Sequence, residues 1–268
     1  MQTHPLTPIA TFHCDQKYRY DQPRQGVLQK HNETGVIRLV KNTDYKLALS
    51  ALAGFERIWL IFGFHLNSNW KALIVPPVHT NSKKIGVFAS RAPYRPNPIG
   101  LSCVRLLEVD EPKGEILIAE YDLLDGSPVY DIKPYLPYCD SFPGVRAGFT
   151  GQEEIIFRVN YSGRVKSQLG WIREQGGPDF RGFIERQLEF NPEDGRRKRI
   201  RRGSAPASRT LAYRTWRIEF LLNRDERSVL VENILSGYNA AELAAPDDRY
   251  QDKELHRLGC RLGIFSYG

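Results

Sequence analysis

The sequence predicts a mainly β protein with a small α+β domain on its C-terminal side, and three observations support this. The first 140 residues contain several apolar stretches of strand length and one clear helix. The connections between those stretches are short, which favours antiparallel pairing, with a closed barrel as one option. After the segment 141–151, which contains a Pro-Gly pair and two further glycines, the apolar residues take up helical spacing.

Each N-terminal strand follows from a short run of apolar and β-branched residues. The stretch 57–64, RIWLIFGF, is apolar at most positions and predicts a central strand covered on both faces. A helix is predicted from Asp44, capped by Thr43 and ended by Gly54. The other predicted strands are 7–12, 35–40, 101–109 and 115–121.

The C-terminal part predicts a mixed unit. A strand is expected at 154–161, helices at 164–174 and 180–190, and a hairpin of two strands, 211–222 and 228–235. A short helical stretch around 253–258 follows. We therefore predict three segments: a barrel domain at 1–141, an α+β domain at 142–235 and an unassigned extension at 236–268.

Composition limits the class of protein. A mean hydropathy of −0.45 and the absence of an apolar run near twenty residues predict a soluble chain without a membrane span. The N-terminus lacks the features of an export signal, so we expect a cytoplasmic location. The four cysteines are scattered without metal-ligand spacing, which predicts neither a metal site nor a disulfide framework. GxGxxG, P-loop, GxSxG and HExxH motifs are absent.

A basic run offers a site for a polyanion. The net charge is +7, and six of the seven positions in 196–202 are Lys or Arg. Such a run is either a solvated linker or an arm that contacts phosphates. The sequence leaves both interpretations open.

The stretch 86–101, GVFASRAPYRPNPIGL, is the most specific in the chain. Its three prolines restrict the backbone, so Arg91, Arg95 and Asn97 are presented by a chain with few alternative conformations. Two guanidinium groups and an amide suit a carboxylate, a phosphate or a base edge. A solvated Pro-rich loop with surface arginines is the alternative.

A second candidate site lies in 125–137, which we predict to be a Pro-bounded loop. It places Asp131, Lys133 and Tyr135 within five positions, after an Asp-Gly-Ser-Pro turn. An ion pair on the solvent face of a strand is the structural alternative. His65 is expected at the end of the strand 57–64, where side chains emerge from a sheet.

The stretch 91–102, RAPYRPNPIGLS, closely resembles the signature of the TrmO (TsaA-like) family of tRNA N6-threonylcarbamoyladenosine methyltransferases. Three further blocks agree with that family: PRQG at 23–26, WLIFGFH at 59–65 and DGSPVYDIKPYLP at 125–137. The resemblance covers residues 8–140, and 141–235 resemble the C-terminal domain of the family more loosely.

The resemblance implies a single-sheeted β-barrel, a homodimer and S-adenosyl-L-methionine as methyl donor. It implies methylation of N6 of threonylcarbamoyladenosine, beside the anticodon in the anticodon loop of threonine-accepting tRNA. Against the cofactor it places Arg24, Gln25, Gly26, His65, Leu66, Arg91, Leu101, Asp125, Gly126, Ser127, Pro128 and Val129.

On the substrate side, the resemblance leaves Asp131, Lys133, Tyr135, Asn97 and Arg95. Asp131 or Tyr135 could accept the N6 proton, and Arg95 or Lys133 could hold the threonyl carboxylate. Two other classes of function stay open: a non-catalytic RNA-binding protein, and a small-molecule hydrolase that uses Asp131 and His65.

Overall fold

The computed structural model describes residues 5–15, 26, 33–76, 84–151, 156–178, 180–190, 192–195 and 200–267. They form two compact units, Met1–Gln152 and Glu153–Gly268, which are taken separately below. Arg24, Gln25 and residues 196–199 of the basic run lie outside the described residues.

The first unit is a closed barrel of six antiparallel strands in the order β1-β2-β7-β6-β3-β8. The predicted mainly β fold with an antiparallel barrel is confirmed. β4 and β5 form a separate two-stranded sheet. The strands are β1 (Ala10–His13), β2 (Thr34–Leu39), β3 (Arg57–Gly63), β4 (Leu73–Ile74), β5 (Ile85–Gly86), β6 (Ile99–Asp110), β7 (Glu115–Ala119) and β8 (Pro128–Pro134).

Alternation along the strands fills the barrel interior. On β3, Ile58, Leu60 and Phe62 are buried, while the intervening Trp59 and Ile61 are half-buried on the outer wall. β3 is central, between β6 and β8, as predicted, but of its two faces only the inner one is fully covered, because a barrel has one packed interior. The apolar outer residues explain the misleading sequence pattern.

The predicted helix from Asp44 to Gly54 is broken in two. The α-helix α1 covers only Thr43–Leu47, and a 3-10 turn follows at Leu52–Gly54. Asn42, not Thr43, caps α1, since its side chain accepts a 2.8 Å hydrogen bond from the Asp44 amide. Ala51 has a φ of 66°, a left-handed conformation that no α-helix contains.

The second candidate stretch, predicted as a loop, is largely strand β8. The two prolines of β8, Pro128 and Pro134, are its terminal residues, where a missing amide hydrogen is tolerated. A second short helix, α2 (Pro137–Asp140), follows. The register shifts between Ile61 and Phe62 on β3 because Tyr130 forms a bulge in β8.

The seam between β1 and β8 closes the barrel and is short. Its register contains two pairs, Ala10 with Val129 and Thr11 with Pro128. By comparison, β3 and β6 pair over seven positions. Hydrogen bonds between β1 and the segment that precedes β8 continue this seam, as described below.

The chain leaves β7 through a strained residue. Glu120 has a φ of 57°, which is uncommon for a residue with a side chain. Its carboxylate is held by Arg57 at 2.5 Å and by Arg105 at 3.3 Å on the outer wall. These two ion pairs fix the turn after which the chain crosses the end of the barrel towards β8.

The second unit is a five-stranded sheet, in the order β10-β11-β12-β13-β9, with helices. The predicted single strand at 211–222 is wrong: the chain turns at Arg214, with a φ of 50°, and forms two antiparallel strands. The elements are β9 (Arg158–Tyr161), α3 (Gly163–Glu174), α4 (Phe180–Leu188), β10 (Ile200–Arg202), β11 (Ser208–Tyr213), β12 (Trp216–Asn223), β13 (Ser228–Ser236), α5 (Ala240–Ala244) and α6 (Lys253–Arg261).

The segment 236–268, unassigned from sequence, belongs to this second unit. Phe265 is buried against Trp216, with ring centroids 5.0 Å apart. His256 of α6 is fully buried and stacks on the same indole at 3.7 Å. The C-terminal segment therefore completes the core of the unit.

Asp252 organises a buried polar cluster beneath α6. Its carboxylate accepts hydrogen bonds from Thr215 at 2.5 Å and Tyr238 at 3.1 Å and lies 3.5 Å from His256. Burial alone would raise the pKa of Asp252, but hydrogen bonds from His256, Thr215 and Tyr238 outweigh it and lower the pKa.

Asp252→Ala should lower the free energy of unfolding of the second unit by about 2 to 4 kcal/mol, because buried donors lose their acceptor. Since the folded-state pKa is depressed, the stabilisation is present above the unfolded-state pKa and is lost as pH falls through the folded-state value. Urea titrations followed by tryptophan fluorescence would measure this. Asp225→Ala, at an exposed position, is the control and should change stability little. Equal stability of both variants would contradict the role of the cluster.

No helix in the described ranges has the length and apolar character needed to span a membrane. Among those same residues, no group of three or more His, Cys, Asp or Glu is arranged to hold a metal ion.

Candidate active site

One end of the barrel gathers the polar residues that the sequence singled out. β1 ends there at His13, β3 ends at Gly63, and β8 begins there at Pro128. We call this the site end. Between β7 and β8 the segment 120–127 crosses it, with Tyr121 and Leu123 fully buried. The two apolar side chains anchor the segment, so its polar residues are held in fixed positions.

The Asp125–Ser127 turn is bonded to β1 through its backbone and one side chain. The Gly126 amide donates to the Phe12 carbonyl at 2.8 Å, and the Phe12 amide donates to the Ser127 carbonyl at 2.9 Å. The Asp125 carboxylate accepts from the Cys14 amide at 3.2 Å and lies 3.5 Å from the His13 ring. The turn is thus an extension of the barrel seam.

His65 packs over this turn. Its Nδ1 lies 3.4 Å from the Ser127 hydroxyl, and Ser127 is buried. Gly126 has a φ of 77°, and a Cβ at this position would lie 3.7 Å from His65 Nε2. Glycine is therefore favoured by the conformation, and the close imidazole limits the space for a side chain. The structure brings His65 and Asp125–Ser127 together as one constellation.

Asp122 joins the site end, although sequence reasoning missed it. Its carboxylate accepts a short hydrogen bond from the hydroxyl of buried Ser102, on the inner face of β6. Burial raises the pKa of Asp122, while the Ser102 hydrogen bond and the positive charge of Arg91 act in the opposite direction. The available signal was the alternation Tyr121-Asp122-Leu123, which places one acid between two buried apolar residues.

Asn67 is the second residue that sequence reasoning missed. Its side-chain amide nitrogen is buried and has no hydrogen-bond partner among the described residues. Asn67 lies two residues after His65, and its backbone amide donates to the Phe64 carbonyl at 2.9 Å. A buried donor without a partner costs stability unless a ligand or water completes it.

The signature stretch is held by its own polar groups as well as by its prolines. Arg95 Nη1 donates to the carbonyls of Val87 at 3.2 Å and Ser90 at 2.8 Å. The Ser90 hydroxyl donates to the Val87 carbonyl at 2.8 Å. The guanidinium of Arg95, predicted to face the substrate, is therefore engaged in fixing this stretch. Arg91 and Asn97 are exposed.

The remaining predicted residues divide between the site end and the outer wall. Leu66 and Leu101 are 39% and 52% exposed, while Val129 is buried in the barrel. Asp131 and Lys133 form a 2.9 Å ion pair with both side chains substantially exposed, which is the structural alternative considered above. The ring centroid of Tyr135 lies 5.9 Å from that of Trp59 on the outer wall.

Strand geometry separates the two predicted residue groups within one chain. At about 3.3 Å per residue, Asp131 lies about 13 Å along the chain from Ser127, and Tyr135 lies up to about 26 Å from it. Asp131 is also opposite Ile61, four positions before His65. The hydrolase alternative, which needs Asp131 beside His65, is disfavoured by this spacing.

Comparison with known proteins gives an independent view of the whole chain. It is 32% identical over 203 residues to the tRNA (adenine(37)-N6)-methyltransferase of Escherichia coli, covering 74% of this chain and 86% of that protein. The chain belongs to the TrmO family. The family model for the tRNA-methyltransferase O N-terminal domain matches residues 11–141, which contain the barrel and its site end.

Other similar proteins agree with this TrmO assignment. A putative S-adenosylmethionine-dependent methyltransferase of Pseudomonas aeruginosa is 32% identical, over 74% of this chain and 89% of that protein. A probable S-adenosyl-L-methionine-binding protein of Pyrococcus abyssi is 42% identical, over 53% of this chain and 73% of that one. The crystal structure of TrmO from P. aeruginosa matches with a TM-score of 0.61 and 27% identity, covering 88% of this chain and 99% of that one.

Proposed function

We propose that this protein is a tRNA methyltransferase that uses S-adenosyl-L-methionine, and that the site end of the barrel is its active site. The observation that carries the proposal is the similarity to the E. coli tRNA (adenine(37)-N6)-methyltransferase over 86% of that protein. The finer proposal is that the methylated atom is N6 of threonylcarbamoyladenosine in threonine-accepting tRNA. We further propose a homodimer in the cytoplasm.

The residues of the site end fit S-adenosyl-L-methionine. Its amino-acid part carries a carboxylate and an ammonium group, which suit the Arg91 guanidinium and the Asp125 carboxylate respectively. The exposed side chains of Leu66 and Leu101 supply apolar surface. The unpaired Asn67 amide gives a buried donor that a bound molecule can complete. When bound, the cofactor supplies an electrophilic methyl group on a sulfonium sulfur.

The chain has two tasks in such a transfer: alignment and proton removal. Hydrogen bonds fix the Asp125–Ser127 turn and the signature stretch before any ligand binds. The side chains that they present are therefore already ordered, which limits the entropy lost on binding. N6 would lose its proton as it takes up the methyl group, so the chain must supply a base that accepts this proton. We propose Asp131 or Tyr135 for that role and Lys133 for the threonyl carboxylate, supplied to the site end by the second subunit of the proposed homodimer, because within one chain they lie about 13 Å or more along the strand from Ser127.

Replacing the base should slow methyl transfer without weakening cofactor binding. In single-turnover assays, either Asp131→Asn or Tyr135→Phe should lower the rate by about 100-fold or more, the usual effect of removing a general base. Asp110→Asn is a matched control, since Asp110 forms a similar ion pair with Lys113 at 2.6 Å in the β6–β7 turn. Wild-type rates in both test variants would exclude these residues as the base.

Calorimetric titration with S-adenosyl-L-methionine tests the proposed function most directly. A methyltransferase binds the cofactor and transfers its labelled methyl group to tRNA. A non-catalytic RNA-binding protein or a hydrolase does neither. Comparing tRNA that carries threonylcarbamoyladenosine with tRNA that lacks it then tests the finer proposal, since methylation of both at equal rates would contradict it.

A further inference from the structure

The sequence around the signature stretch is free of acidic residues. No aspartate or glutamate occurs between Glu56 and Glu108. The same interval contains seven basic residues, so its positive charge equals the net charge of +7 of the whole chain. They are Arg57, Lys71, Lys83, Lys84, Arg91, Arg95 and Arg105. Arg57 and Arg105 are paired with Glu120 on the outer wall, while Lys71 and Lys84 lie just before β4 and β5, respectively, in sequence.

Apolar side chains are exposed on the same surface. Phe88 is 76% exposed, Leu73 is 56% exposed and Trp70 is 55% exposed. The Val87 amide donates to the Ala72 carbonyl at 2.9 Å, which joins the 3-10 turn that carries Phe88 to the segment that contains Trp70 and Leu73. We call the residues Trp70, Lys71, Leu73, Phe88 and Arg95 the aromatic surface.

Cations are held against aromatic rings in and beside this surface. The Arg95 guanidinium lies 5.7 Å from the centre of the Phe88 ring, and the Lys71 ammonium lies 4.7 Å from that of Tyr94. Arg95 is itself fixed by its bonds to Val87 and Ser90. The Phe88 ring is therefore exposed beside a fixed cation, a combination that favours stacking against a flat partner.

We propose that the aromatic surface binds the unpaired bases of the tRNA anticodon loop, with Phe88 and Trp70 as stacking partners. This inference rests on the proposed function, because it assigns the surface that receives its RNA substrate. Single-stranded nucleic acid is bound by exposed aromatic rings interleaved with basic side chains, whereas a duplex offers phosphates but no open base faces. Asp122 and Asp125 lie at the site end, where the cofactor ammonium is proposed to bind.

A second copy of the chain is a poorer occupant of this surface. A two-fold symmetric contact places the same patch against itself. Here that arrangement would bring Lys71 and Arg95 of one copy towards the same cations of the other, with no carboxylate from this interval between them. RNA supplies both the opposite charge and the flat apolar faces.

Binding of a labelled anticodon stem-loop to the full-length protein, measured by fluorescence anisotropy, tests the proposal. Phe88→Ala and Trp70→Ala should each weaken binding by about tenfold or more, the usual effect of losing one stacked base. Phe88→Tyr keeps the ring and should bind within about twofold of the wild type. Tyr138→Ala, which removes an aromatic side chain that is 84% exposed on α2, is the matched control and should have no effect.

Two results would overturn the proposal. One is wild-type affinity of both alanine variants for the stem-loop, and the other is equal weakening for a blunt RNA duplex, which would indicate phosphate contacts alone. If light scattering shows that Phe88→Ala changes the oligomeric state while its RNA affinity is unchanged, the surface is a contact between copies instead. Calorimetry with S-adenosyl-L-methionine separates the methyltransferase proposal from the RNA-binding proposal. A wild type that fails to bind the cofactor contradicts the methyltransferase function, whereas the stem-loop measurements decide the RNA-binding proposal by themselves.

Discussion

Arg91→Ala should lower the affinity for S-adenosyl-L-methionine by about 100-fold or more, and the barrel should remain folded. The expected loss is that of removing one partner from a desolvated charge pair, here the proposed pair with the cofactor carboxylate. Arg91 is exposed in a stretch held by other residues, so its removal leaves no cavity. Loss of its positive charge should also raise the pKa of Asp122 further.

Calorimetry on two matched variants makes this result specific. Arg38→Ala removes another exposed arginine of the barrel, one paired with Glu115 at 2.9 Å, and should bind the cofactor normally. Arg91→Lys keeps the charge but loses the planar fork, so an intermediate affinity is expected. Unchanged affinity in a folded Arg91→Ala protein would remove this residue from the proposed site.

Gly26→Ala should abolish cofactor binding, because Gly26 is the described residue of the 23–26 block and has no room for a side chain. Gly26 is buried, and a Cβ there would overlap the carbonyl oxygen of Glu120 and lie 2.9 Å from the Tyr121 amide nitrogen. Both neighbours are backbone atoms of the turn that Arg57 and Arg105 hold in place, so neither can rotate aside.

The accompanying loss in free energy of unfolding should be about 1 to 3 kcal/mol, as for other overpacked sites. Gly54→Ala is the control, because a Cβ at Gly54 meets no atom within 4 Å. Thermal unfolding and calorimetry on the two variants measure both effects. Normal cofactor binding by Gly26→Ala would show that the 23–26 block is not part of the site.

Sequence patterning predicted the barrel strands whose faces alternate. β2, β6 and β7 begin and end within about two residues of their predicted limits, because each is a run of apolar and β-branched residues bounded by polar or turn-forming residues. β8 was missed because its prolines and the Asp131–Lys133 pair read as loop chemistry, although the prolines only end the strand. The split of 211–222 at Arg214 was missed because no glycine or proline marks that turn.

The candidate site was predicted in part. The resemblance to the TrmO family named residues that the structure places around one turn, His65 and Asp125–Ser127. Local sequence has no means of showing that the Arg95 guanidinium turns back onto the Val87 and Ser90 carbonyls, since that contact depends on the path of the loop. Asp122 was missed although the alternation Tyr121-Asp122-Leu123 was visible, because the partner that identifies its role, Ser102, is twenty positions away.

The short seam between β1 and β8 means that residues that close the barrel also form part of the proposed site. The hydrogen bonds between Phe12 and residues Gly126 and Ser127 extend the two register pairs of that seam. The turn proposed to hold the cofactor therefore also helps to close the barrel. A molecule bound at this turn would contact β1 and β8, the first and last strands of the barrel, and would stabilise their pairing. The barrel is therefore not a separate scaffold for the site, because the seam that closes its wall continues into the turn proposed to hold the cofactor.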